Sequence, residues 1–183
     1  MDWFWYFMVY SFLGYLLERM FAKVTRAAQQ VRKCFLLLPL CPVYGLGMVV
    51  FLALTDAAAY PWWALALQGG ILTTGVEFLV HLLYEKVFHV HFWDYSETPG
   101  NLRGRVCIPF SLIWSGLSAW AAVYLHPVVA SLVEPIPPGV TFAVLLVLAA
   151  DAVISGNILL RHRDTELLSI RAVARRLAER AEG

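Results

Sequence analysis

Charge is what this chain has least of. Asp, Glu, Lys and Arg make up 15% of its 183 residues, against about 25% in soluble domains. Phosphate-loop spacing of the GxxxxGK[ST] kind is missing, which excludes an ATPase of that mechanism within this polypeptide. No GxSxG elbow is present, so a serine hydrolase has little support. No basic tract suits nucleic acid. The N-terminal MDWFWYFMVY lacks the basic region of a cleavable signal peptide and is expected to remain as a membrane span. Cysteine is scarce too: Cys34, Cys41 and Cys107 form an odd set without CxxC or zinc-ligand spacing, and are expected to be buried free thiols.

What fills the chain is apolar. Hydrophobic residues reach 60%, aromatics 14%, and mean hydropathy is +0.67. Spanning helices need about 20 mostly apolar residues, and five stretches qualify, at about 3–21, 36–55, 62–88, 106–126 and 138–160. The fourth is expected to end near His126-Pro127. The fold class is therefore all-α, an integral membrane bundle of five transmembrane helices.

The positions of the basic residues orient that bundle. With five spans, all 14 Lys and Arg fall on one side of the membrane, while the opposite loops and the N-terminus carry only Asp2, Asp56 and Glu134. Positive loops stay inside, so the N-terminus is expected outside and the C-terminus in the cytoplasm. Trp3, Trp5, Tyr6, Tyr60, Trp62 and Trp63 fall at the outer ends, where aromatic belts form. Residues 161–183 read as a basic amphipathic tail, with Leu167, Ile170, Ala174 and Leu177 at helical spacing. Such a tail suits the inner leaflet or a partner protein.

An internal repeat is suggested by two similar helix ends, LLERMF at Leu16–Phe21 and LYEKVF at Leu83–Phe88. Each is followed by a basic loop and a cysteine near a proline, Cys41-Pro42 and Cys107-Ile108-Pro109. The two units would form a parallel two-helix duplication. Early prolines are tolerated at helix starts, and Gly45, Gly69 and Gly70 are candidates for close helix contacts.

Acids inside the spans ask for a reason, because each costs about 2.5–3.5 kcal/mol at a span centre. Glu77, His81 and Glu85 follow i, i+4, i+8 spacing along one stripe of the third helix. Asp151 and Ser155 stack likewise in the fifth, and Glu18 ends the first. Three readings stay open. The groups are interhelical glue and snorkelling ends; or Glu77, His81 and Asp151, with Glu18 and Glu85 at the mouth, line a substrate or proton path in an acidic cavity facing the cytoplasm; or His81 with Glu77 or Glu85, joined by His89, His91 or Asp94, holds a divalent metal. The loop FHVHFWDYSETPGNLRGRV, residues 88–106, is expected to cap that cavity through Trp93, Asp94, Tyr95, Asn101, Arg103 and Arg105, with Asp94 paired to Arg103 or Arg105.

The segments YSFLGYLLE (Tyr10–Glu18), PLCPVYGLG (Pro39–Gly47), GVEFLVHLLYEKVF (Gly75–Phe88), FWDYS (Phe92–Ser96) and NLRGRVCIPFSLIW (Asn101–Trp114) together resemble the bacterial CmpB-like permeases, the ABC-transporter type IV family. The likeness covers residues 4 to about 125. It includes the helix-start motif of Cys41, Pro42, Tyr44 and Gly45. It implies a small multi-pass permease component in the bacterial inner membrane, with the ATPase on a separate polypeptide; a homo-oligomer is a separate expectation. No cofactor is called for; a divalent metal belongs to the alternative reading of a metal-binding membrane protein or enzyme. A scaffold without transport is the third reading.

Overall fold

A computed structural model describes residues 1–24 and 34–168. The basic positions Arg26, Arg32 and Lys33, and the tail beyond Leu168 with its amphipathic pattern, lie outside the described residues. Among the described residues, five helical rods follow one another: α1 (Asp2–Val24), α2 (Pro42–Leu54), α3 (Trp62–Phe88), α4 (Ile108–Val133) and α5 (Pro138–His162). A two-residue ribbon of β1 (Asn101–Leu102) and β2 (Val106–Cys107) closes the loop between α3 and α4, with Asn101 opposite Cys107.

Helices α3, α4 and α5 are long and apolar enough to cross a membrane. Their outer faces expose Ile71, Leu112 and Leu146, the pattern of a bundle whose solvent is lipid. The chain is a membrane protein on this ground and on its family, described below. Helix α2 is shorter than the stretch 36–55 suggests. Residues Leu36–Pro39 are bent rather than helical, and the helix starts only at Pro42. Pro39 and Pro42 explain it: each lacks a backbone N–H and restricts the residue before it.

Helix α4 runs the other way, past its expected end. A π-helical turn at Ala121–Leu125 precedes His126-Pro127, and helix continues to Val133. The widened turn absorbs the register change that the N–H-less ring of Pro127 demands.

Cys34 and Cys41 are disulfide-bonded, whereas Cys107 is free and buried. The expectation of three free thiols fails for the first two because the chain doubles back between them, bringing their Cα atoms to 5.0 Å, within disulfide reach.

Helix α1 packs on α2, α2 on α3, and α3 on α4, while the end of α4 returns to α1. Phe51 and Leu65, both almost wholly buried, anchor the shared core with Tyr10, Met48 and Ala119. Helix α5 stands at the edge of this ring. Its ties include Trp5 Nε1 donating to Thr141 Oγ1 at 2.9 Å and Leu159 packed against Val80, Tyr84 and Val90. Both cysteine-proline helix starts share one geometry. Cys41 and Cys107 are extended N-cap residues, each with proline in the first two helical positions.

Candidate functional site

Polar side chains gather where the 89–107 loop meets the loop-bearing ends of α3 and α4. Glu77, three turns before the end of α3, is buried. One carboxylate oxygen accepts from Tyr95 Oη at 3.0 Å and the other from Trp114 Nε1 at 3.1 Å. Tyr95 stacks on Phe110, with ring centres 5.0 Å apart. Trp114 meets the face of Tyr44 edge-on at 5.3 Å, and Tyr44 Oη donates to Glu18 Oε1 at 2.5 Å. Two carboxylates on α1 and α3 are thus joined through aromatic residues of α2, α4 and the loop. Sequence reading singled out Glu18, Tyr44, Glu77 and Tyr95, but not Trp114 as the link between them. An indole N–H in a span without Asp, Glu, Lys or Arg was the available signal, since a buried indole needs an acceptor.

One turn nearer the loop lies a second group. His81 Nε2 stands 3.0 Å from the carbonyl oxygen of Trp93, while Trp93 Nε1 donates to the carbonyl of Arg105 at 2.9 Å. Arg105 donates from Nε and Nη2 to Glu85 Oε2, at 3.0 and 2.7 Å, and its guanidinium covers the Phe78 ring. Asp94, expected to pair with Arg103 or Arg105, does neither: its Oδ1 accepts from the backbone N–H and hydroxyl of Ser96. Those two bonds hold its carboxyl below the usual carboxylate range. An acid two residues before a serine closes a local turn more readily than it reaches across a loop, and Glu85 already occupies Arg105. Arg103 is exposed with a left-handed backbone.

Asn101 folds the loop on itself, donating to the carbonyls of Ser96 and Thr98 and accepting from Gly104 N–H. Gly104 has φ +68°, and a Cβ there would lie 2.6 Å from both Asp94 Oδ1 and Ser96 Oγ. Gly104→Ala therefore meets an unfavourable backbone and a clash together, and is expected to cost about 1–3 kcal/mol. Limited proteolysis should cut the 89–107 loop faster in the variant; equal rates would show that the turn does not hold the loop.

Asp151 does not join these groups. Its Oδ1 accepts from Leu37 N–H and from Ser155 Oγ, and its Oδ2 from Leu38 N–H. The acid of α5 thus secures the bent segment before α2, away from Glu77 and His81. An apolar cavity of about 370 Å³ lies nearby, between Met8, Leu38, Leu40, Ala143 and Val147. Cys41, Pro42 and Gly45 fix the start of α2 on α1, with Cys41 N–H donating to the Ser11 carbonyl at 2.9 Å.

Among the described residues, the group with metal-ligand spacing is His81, Glu85 and His91. Glu77, expected among the ligands, is turned to Tyr95 and Trp114 instead. His91 enters because the chain turns back after a π-helical turn at Tyr84–Phe88, closed by left-handed His89.

Comparison with known proteins gives one result. The model of the family described as "Putative ABC-transporter type IV" matches residues 5–156. No curated relative and no solved structure matches the chain.

Proposed function

The chain belongs to the ABC-transporter type IV family, and from that premise we propose that it is a multi-pass permease component of the bacterial inner membrane, working with an ATPase on another polypeptide. Five spans cross the membrane in this reading, N-terminus outside and C-terminus inside. Helix α1, at 23 residues, is about 34 Å long by helical rise and matches the hydrocarbon core. Helix α2, at 13 residues, is about 20 Å and reaches through only with its bent leading segment. The Cys34–Cys41 bond argues against a cytoplasmic loop, where thiols stay reduced. One pairing weighs less than 14 basic residues falling on one side.

The observation that carries the reading is Glu77, a buried carboxylate that accepts hydrogen bonds from a loop and from a neighbouring helix. Withdrawal of the 89–107 loop would take Tyr95 off Glu77 and open that carboxylate to the cytoplasm. Loop and acid then act as gate and gated group on the path of a substrate. Intramembrane acids mark such paths.

Isolating the chain from native membranes in mild detergent tests the reading. An ATPase subunit should come with it at fixed stoichiometry, and ATP hydrolysis by the reconstituted pair should depend on this chain. Isolation alone, or with a partner that hydrolyses no ATP, would favour a scaffold and overturn the permease.

A further inference from the structure

A histidine with one nitrogen tied and the other left bare is a specific arrangement. A carbonyl oxygen only accepts, so the 3.0 Å contact of His81 Nε2 with Trp93 puts the proton on Nε2. Nδ1 then carries a lone pair. His81 is 4% exposed, and Nδ1 is buried without a hydrogen-bond partner. Glu85 Oε2 lies 4.0 Å from it, too far for a hydrogen bond. Metal-ligating histidines nearly always show this pattern, one ring N–H given to a carbonyl or carboxylate and the other nitrogen free for the ion.

Two further donors lie close to His81. A carboxylate oxygen of Glu85, one turn on, lies 4.0 Å from Nδ1, and one ligand atom each from His81, Glu85 and His91 lies within 4.8 Å of the others. We infer that His81, Glu85 and His91 form a binding site for a transition-metal dication of the zinc class, on the loop-bearing end of α3. Tetrahedral zinc with bonds of about 2.0–2.1 Å sets its donors about 3.4 Å apart. Exposed His91 and part-exposed Glu85 can close that difference while buried His81 stays fixed. Three protein donors leave a fourth position for water or another ligand.

The charge around these donors selects the ion. Arg105 lies against Glu85 at 2.7 Å, and its positive charge works against any cation held by electrostatics alone. Calcium and magnesium, which depend on several oxygen donors, are therefore excluded in favour of ions with strong imidazole bonds. Arg105 also orients the carboxylate, as outer partners of a metal ligand do. The π-helical turn at Tyr84–Phe88 sits within the site, and such turns recur at functional positions.

Zinc titration of the tag-free, chelator-stripped full chain in detergent tests the assignment, with elemental analysis for stoichiometry. One zinc per chain is expected, with cobalt taking its place and showing tetrahedral visible bands. His91→Ala, at an exposed position, should keep the fold and bind at least about 100-fold more weakly. His81→Ala should lose binding too, but its buried position makes size-exclusion behaviour a required control. Calcium should not compete. Absence of zinc binding in the folded wild-type chain, or equal binding by His91→Ala, would overturn the site. Either result leaves the ATPase partnership untouched, since the isolation experiment does not depend on metal.

Discussion

Glu77→Leu is expected to be the most damaging single substitution in the bundle, lowering stability by about 2–5 kcal/mol. Two donors, Tyr95 Oη and Trp114 Nε1, end on this carboxylate. Removing it strands Tyr95 in a buried setting and Trp114 in a part-buried one, at about 1–3 kcal/mol for each unsatisfied group. Glu77→Gln should be milder, because its amide oxygen still accepts while its NH2 faces the second donor. Tyr95→Phe should be milder again, since it leaves no orphan donor. Thermal unfolding in detergent, followed by tryptophan fluorescence, checks the order Leu, Gln, Phe. A leucine variant as stable as wild type would mean that Glu77 is not the acceptor holding loop and helices together. A double-mutant cycle of Glu77→Gln with Tyr95→Phe should show coupling of about 1 kcal/mol.

Gly45→Val should be the second-largest loss, about 3 kcal/mol, with the unfolding midpoint falling by about 6–12 °C. A Cβ at Gly45 would meet the Ser11 hydroxyl and lie 2.5 Å from the Phe7 carbonyl oxygen. The backbone of α1 cannot rotate out of the way as a side chain can, so the two helices must separate. Separation also stretches the Cys41 N–H to Ser11 carbonyl bond and moves Tyr44 off Glu18. Gly116→Ala makes the useful contrast. Nothing lies within 4 Å of its added carbon, and alanine is the better helix former by about 1 kcal/mol. One glycine substitution should destabilise and the other stabilise; two changes of the same sign would show that helix contact does not govern Gly45.

Much of this architecture was legible in the residues, and the exceptions share a cause. The third helix could be bounded from Trp62 to Phe88 because apolar content, Pro61 and the basic loop all agree there. Pro127 misled the fourth, since a proline reads as a stop unless the preceding turn widens, and that widening has no composition signal. The second helix misled in the other direction: Leu36–Leu40 is as apolar as any helix, yet its prolines bend it. Side-chain partners were harder still. The i, i+4, i+8 stripe of Glu77, His81 and Glu85 did not say what each side chain meets. Neighbours decide roles, and the neighbours come from a loop folding back, through Tyr95, His91 and Trp93. Asp94 was read as a long-range partner of arginine because charge suggests distance; a serine two residues away settled it locally.

Asp151 carries a consequence for the order in which the bundle can be completed. Irregular backbone at membrane depth survives only where protein supplies its hydrogen-bond partners. Leu37 and Leu38 find theirs on α5, more than a hundred residues later in the chain. The bend that leads into α2 is therefore an early segment waiting on a late one. On the five-span reading proposed above, it must remain near water, or in the insertion machinery, until α5 emerges. The fifth helix is then less an outer decoration of the ring than the clasp that lets its first half settle.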